Sequence, residues 1–269
     1  MARSSATIIV WDFDWSLVNV NTDTWVLDKL DRSGELGLKP LTQRCRAAAS
    51  GWTAQMDWAL GELHAQGTST SAIDAVLTTT PLLRGVIAAV AAGRAHHANQ
   101  IIVSDANERY IESALSARTD HVHRSTFSAV VTNRALEEAS GRLRVLPYHP
   151  ADAPKHGCPR CPPNMCKSRA LRALLDALDA ADAARPRIAY VGDGSGDFCP
   201  SCTVLRDGDL VLARRAPHGR LLELCSSDRW TSAGGSARVV AWGGADDEDG
   251  NDLAAALSAW LQDAIPPAT

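Results

Sequence analysis

Short apolar runs rich in β-branched residues recur at Thr7–Trp11, Gln100–Val103, Phe127–Thr132, Arg187–Val191, Asp209–Ala213 and Ala237–Trp242. Runs of this length, separated by Ala/Leu-rich stretches with helical spacing, predict a parallel sheet covered by helices on both faces. The roughly ninety residues between the first two runs hold no good strand. Instead Trp25–Leu30, Leu41–Leu63 and Ser71–Leu77 carry helix-like apolar spacing. The expected architecture is therefore α/β: a Rossmann-like core formed by residues 1–20 and 86–269, with a helical cap over residues 21–85 inserted after the first strand. Arg142–Tyr148 alternates apolar and polar positions and predicts one arm of a hairpin. A Pro/Cys-rich loop follows from Pro150 to Pro163, then a long helix from near Met165 and a last one over Leu253–Ala264.

Composition narrows the function classes. The 269 residues are 45% hydrophobic and 22% charged, enough for a substantial core. A net charge of −4 offers no broad cationic field for nucleic acid or anionic lipid, so any bound anion must meet a local site. The most apolar run, around Leu82–Ala92, is broken by Arg84 and Gly85, and no membrane span is expected. MARSSATIIVWDFD lacks a signal-type apolar core before a cleavage site, which predicts an untargeted, cytoplasmic protein. In that setting the seven cysteines read as thiols or metal ligands before they read as disulfides.

Four features carry chemistry. Asp12-Phe13-Asp14 closes the first strand, and carboxylates at i and i+2 face the same way in extended chain. One could attack phosphorus while the other handles protons, although a solvated pair of turn aspartates is the commoner explanation of such a pair alone. Ser104 and Asp105 end the second strand, where a hydroxyl could donate to a phosphoryl oxygen or simply cap a helix. The loop Gly192-Asp193-Gly194-Ser195-Gly196-Asp197 offers two acids suited to a hard divalent cation, Mg²⁺ fitting best; a plain Gly/Asp turn is the alternative. Lys167 is one of four lysines among 27 basic residues, at a helix start where a compact cation would suit a phosphate. All lie at carboxyl ends of expected parallel strands or beside them, where open α/β sheets bind ligands.

DFDWS, the serine of VSDAN, a helix-borne lysine and GDGSGD together resemble the four ordered motifs of the haloacid-dehalogenase-like phosphatases. NTDTWVLDKL, GRLRVLPYH, HGCPRCPPNMCK and YVGDGSGDFCPS make the chain most similar to the branch containing phosphoethanolamine/phosphocholine phosphatase and its plant thiamine phosphate phosphatase-like and phosphate-starvation-induced relatives. This resemblance, over about residues 8 to 220, implies Asp12 as nucleophile and metal ligand, and Asp14 as general acid/base and ligand through its carbonyl. It implies Ser104 and Lys167 as phosphate-binding residues, Asp193 as metal ligand and Asp197 as its support. Asp23 and Asp105 would face the leaving group, which suits an amine-bearing or cationic alcohol. The expected activity is Mg²⁺-dependent hydrolysis of a small phosphorylated metabolite of the thiamine monophosphate, phosphoethanolamine, phosphocholine or pyridoxal phosphate type. Pyrophosphate hydrolysis on the same fold and a catalytically inactive, zinc-stabilised binding protein are the alternatives. The chain departs from the family pattern at Trp15, at Ser16, at Asn19-Val20-Asn21 and at Glu108-Arg109.

Cys158-x-x-Cys161-x-x-x-x-Cys166, with Cys199 and Cys202 further on, invites a zinc reading. The long interval to the second C-x-x-C, and the adjacency of Cys166 to Lys167, argue instead for buried thiols or a redox pair.

Overall fold

The computed structural model describes residues 6–34, 51–150, 152–179 and 185–263. Seven strands, β1 (Thr7–Trp11), β2 (Asn99–Asn107), β3 (Ala129–Glu137), β4 (Leu143–Leu146), β5 (Arg187–Gly192), β6 (Leu210–Arg214) and β7 (Arg238–Trp242), form one sheet in the order β4-β3-β2-β1-β5-β6-β7. All neighbours are parallel except β4, which returns antiparallel on β3. Every expected strand is present. The main differences lie at the ends of β2 and β3, which run on beyond the apolar positions into residues whose side chains are polar.

Alternation within each strand divides the core. Ile9 and Trp11 join one apolar cluster, while Ile8 and Val10 join another on the opposite face, and Val191 and Tyr190 divide likewise. This two-sided burial is why the strands read as continuous apolar runs. Between β1 and β2 the described residues form α1 (Thr22–Leu30), α2 (Trp52–Ala65), α3 (Thr70–Leu77) and α4 (Arg84–Ala95). The stretch expected to be helical over Leu41–Leu63 lies partly outside the described residues; its later half belongs to α2. Two of these helices pack against elements from beyond β2. α2 packs on β4, where Arg144 Nε meets Asp57 Oδ1 at 2.8 Å. α4 packs against α10 (Asn251–Gln262) so closely that a Cβ on Gly85 would stand 1.8 Å from the Gly250 carbonyl oxygen.

The other helices are α5 (Glu108–Ser116), α6 (Lys167–Asp179), α7 (Ser195–Thr203), α8 (Arg220–Cys225) and α9 (Arg229–Ser232). Strand order reverses about β1, so the carboxyl ends of β1, β2 and β5 open on one crevice. Among the described residues no helix is long and apolar enough to cross a membrane.

Candidate active site

The crevice holds a cavity of about 190 Å³ lined by Asp12, Asp14, Trp15, Asn21, Asp23, Trp52, Asp105, Lys167 and the loop 193–197. Asp12 leaves the end of β1 with its backbone N–H donating to Val191 at 2.9 Å, so its carboxylate stands where β1 and β5 both stop. Phe13 N–H donates to Asp12 Oδ1 at 2.8 Å, and Lys167 Nζ donates to the same oxygen at 2.7 Å. Lys167 also donates to Asp197 Oδ1 at 2.8 Å and lies 3.9 Å from Asp105 Oδ1. It is the first residue of α6 and only 3% exposed. Burial alone would depress its pKa, but Asp12 and Asp197 hold it well above the ordinary lysine range.

Asp197 has no oxygen to spare. Oδ1 takes Lys167 and the Tyr190 hydroxyl at 2.8 Å, while Oδ2 takes the N–H groups of Asp193 and Gly194 at 3.2 and 2.9 Å. Gly192 makes room for this capping arrangement, since a Cβ there would sit 2.7 Å from Asp197 Cγ. By contrast, Asp12 Oδ2 and the Asp193 carboxylate accept no hydrogen bond from the described residues. Ligand oxygens of Asp12, Asp193 and Asp197 lie within 4.8 Å of one another. Ionising all three buried carboxylates against one ammonium would leave two negative charges in excess, so burial with mutual repulsion pushes Asp12 well up and Asp193 to about 9. A small hard dication held by Asp12 and Asp193 would relieve that excess, with Asp197 acting as brace; the oxygen-only donor set and low carboxylate count fit Mg²⁺.

Asp14 points away from this cluster toward the start of α1. Its Oδ1 accepts from Thr22 N–H at 3.1 Å and Thr22 Oγ1 at 2.7 Å, and burial beside Asp23 raises its pKa well above the carboxylate range. Asp23 Oδ2 accepts from Trp52 Nε1 at 2.7 Å across α1 and α2, and burial raises it to about 7. Asp105 is half exposed at the mouth. Ser104 is fully buried and not among the lining residues; its Oγ accepts from Ala106 N–H at 3.2 Å. The helix-capping role open to Ser104 belongs to Asn107, whose side chain accepts from Tyr110 N–H. A register shift between Val103 and Asn107 accompanies this, so the chain passes Ser104 as a bulged strand.

Three participants were not singled out from the sequence. Tyr190 braces Asp197 from within β5, and a hydroxyl in an otherwise apolar strand is the signal that it has a buried partner. Arg214, only 4% exposed at the end of β6, donates to Trp15 O at 2.5 Å, Asn19 Oδ1 at 2.5 Å and Ala216 O at 2.7 Å. It thereby pins the turn after β1, in which Trp15 takes the left-handed φ of 57°. The third is Trp52, whose bond to Asp23 joins residues 29 apart.

The family described as Putative Phosphatase matches residues 7–259. The chain is 32% identical to a thiamine phosphate phosphatase-like protein of Arabidopsis thaliana, over 87% of this chain and 93% of that one. It is 35% identical to inorganic pyrophosphatase 2 of the same plant (80% and 73%), and 30% to human phosphoethanolamine/phosphocholine phosphatase (87% and 84%). In fold it is similar to a Salmonella enterica HAD family hydrolase, with TM-score 0.55 and 17% identity over 82% of this chain and 71% of that one. A phospho-aspartyl intermediate analogue of phosphoserine phosphatase superposes with TM-score 0.50 and 12% identity over 87% and 93%. A match along nearly the whole described core means that the chain belongs to this Putative Phosphatase family, on a fold shared with haloacid-dehalogenase-like hydrolases.

Proposed function

We propose that the protein is a Mg²⁺-dependent phosphatase for a small phosphomonoester whose alcohol carries positive charge, working through an aspartyl-phosphate on Asp12. The observation that carries this reading is the pairing of Asp12 with Lys167 at 2.7 Å beside Asp193, at the foot of a cavity whose upper wall is acidic and aromatic. In the first step an Asp12 oxygen bonds to phosphorus as the bond to the alcohol oxygen breaks, and Asp14 gives that oxygen its proton. Asp14 begins in the protonated form its buried setting favours. In the second step water passes a proton to Asp14 and attacks phosphorus, the bond to Asp12 breaks and inorganic phosphate leaves. Lys167 holds the transferring group, and Asp197 keeps Lys167 in place. Mg²⁺ on Asp12, Asp193 and the Asp14 carbonyl would supply charge neutralisation for the phosphoryl oxygens.

The leaving group is read from the other wall. Among the described residues Asp23 and Asp105 line the cavity with no single cation paired to both, and Trp15 and Trp52 line it beside them. Carboxylates with indoles suit an ammonium or a cationic heterocycle, and they oppose the second phosphoryl group of pyrophosphate. Residues 21–85 would then act as the specificity cap over the chemical centre. Phosphate release from phosphoethanolamine, phosphocholine, thiamine monophosphate, pyridoxal phosphate, pyrophosphate and p-nitrophenyl phosphate, with Mg²⁺ and with chelator, tests the proposal. The expected result is Mg²⁺-dependent turnover fastest on a cationic monoester. A pyrophosphate rate above all monoesters, or activity unaffected by chelator, overturns it.

A further inference from the structure

Behind the acidic centre four thiols converge. The Sγ atoms of Cys158, Cys161, Cys166 and Cys199 all lie within 4.8 Å of one another, and Cys158 Sγ stands 3.6 Å from Cys199 Sγ. A disulfide needs about 2.0 Å between sulfurs, and all four are free thiols. Sulfurs bound at about 2.3 Å around tetrahedral zinc stand about 3.8 Å apart, which is the scale of this cluster. The expectation of buried thiols or a redox pair rests on the long interval to Cys199-x-x-Cys202 and on the adjacency of Cys166 to Lys167. The fold completes the set differently, taking Cys166 from the loop and only Cys199 from α7. Cys202 turns away, its Sγ donating to the Cys199 carbonyl at 3.5 Å.

We propose that Cys158, Cys161, Cys166 and Cys199 form a tetrathiolate site for one structural Zn²⁺, clipping the Pro/Cys-rich loop and the start of α6 to α7. The loop is already organised for this. His156 accepts from Cys158 N–H at 3.0 Å through Nδ1 and bonds the Pro162 carbonyl at 2.9 Å through Nε2, so it braces the ligand loop and has no nitrogen left for the metal. Binding releases the thiol protons to solvent and leaves a centre of net charge −2. Arg160, between the first two ligands, supplies nearby positive charge.

The placement gives the site a consequence for the chemical centre. Cys166 directly precedes Lys167, and Cys199 follows Asp197 by two residues, while Lys167 and Asp197 make the 2.8 Å ion pair under the cavity. One metal would therefore fix the mutual position of the two elements that carry this pair. That is a positioning role, separate from the oxygen-donor site for Mg²⁺.

The test is zinc content of the full chain purified under reducing conditions without chelator, measured by elemental mass spectrometry. One zinc per chain is expected, retained in Cys202→Ser and lost in Cys158→Ser and Cys199→Ser. Replacement by cobalt should give the thiolate charge-transfer and tetrahedral ligand-field bands. If the serine variants do not fold, the wild-type zinc content and the cobalt spectrum decide alone. Zinc far below one per chain, iron in its place, a mass two hydrogens light from a disulfide, or zinc loss from Cys202→Ser would each overturn the site. None of these readouts depends on phosphatase turnover, so failure here leaves the catalytic reading standing.

Discussion

Asp12, Lys167 and Asp197 on the floor of the cavity and Asp23 with Trp52 on its wall are both buried acidic arrangements, but they treat charge in opposite ways. On the floor, each carboxylate is tied to a lysine and to backbone N–H groups at the ends of β1 and β5, so its geometry is set before any ligand arrives. On the wall, Asp23 has one neutral donor among the described residues, the Trp52 indole, and burial raises it to about 7. A preorganised floor suits a phosphoryl group common to every substrate, and a titratable wall suits a leaving group that brings its own charge.

The largest effect should come from breaking the floor at its centre. Asp12→Asn keeps the shape and the bond from Phe13 N–H but removes the nucleophile and a partner of Lys167. Turnover on every monoester should fall by about four orders of magnitude or more, with unchanged circular dichroism. An equal loss on cationic and neutral substrates is required if the floor is blind to the leaving group. Asp197→Asn comes next. It leaves Lys167 with one fewer charge partner and replaces one of two fully engaged acceptor oxygens by an N–H donor, in a residue with no exposure. Breaking a buried pair costs about 3 kcal/mol or more, which lowers Tm by roughly 6–12 °C in a chain of this size. Thermal unfolding that matches wild type would show that the ion pair is not holding the loop.

Arg214→Met tests whether the floor depends on the turn between it and the wall. Burial lowers the pKa of Arg214, with Asp193 partly restoring it, and its hydrogen bonds reach both Trp15 and Asn19. Losing charged hydrogen bonds of this kind costs about 2 kcal/mol, so kcat/KM should drop roughly thirtyfold, the factor that energy sets. Arg214→Lys should not restore it, because one ammonium does not span three carbonyl oxygens. Full rescue by lysine would refute the pinning role.

The wall is tested by pH. Because Asp23 is raised from its unfolded value to about 7, its folded form binds a proton that the unfolded chain has given up between about pH 4 and pH 7. The stability this contributes is fully present below pH 4 and is lost as pH rises through about 7. Asp23→Asn should therefore flatten the fall in Tm across that window. In catalysis the sign reverses: ionised Asp23 attracts a cationic alcohol, so preference for phosphocholine over p-nitrophenyl phosphate should climb through pH 7 in the wild type. It should stay level, about tenfold lower at pH 8, in Asp23→Asn, the size of one charged contact. A preference that climbs equally in the variant assigns the titration elsewhere.

The same contrast explains what could be read from sequence. The strands were legible because both faces of the sheet are buried, so the interior positions of Thr7–Trp11 and Arg187–Val191 are apolar but for the Tyr190 hydroxyl, and the acids that follow them mark the crevice. The bulge at Ser104 was not, since its cause is the cap by Asn107 and a shift against β3. Residues 29 or more apart supplied the rest: Trp52 with Asp23, Arg214 with Trp15 and Asn19, Cys199 with Cys158. Local periodicity carries no information about such meetings, and the odd number of cysteines concealed which four converge.

Tyr190→Phe is the finest probe of the floor. The hydroxyl is one of two donors to Asp197 Oδ1, and Lys167 remains when it is gone. Losing one buried hydrogen bond to a charged acceptor, without leaving the acceptor bare, costs about 1 kcal/mol, or roughly 2–4 °C in Tm. Substrate preference should not move, because Tyr190 reaches only Asp197 and not the wall. If Tyr190→Phe instead shifted the ratio of cationic to neutral substrates, floor and wall would be coupled through the loop of residues 193–197, and the division between a fixed phosphoryl site and a tunable leaving-group site would have to be given up.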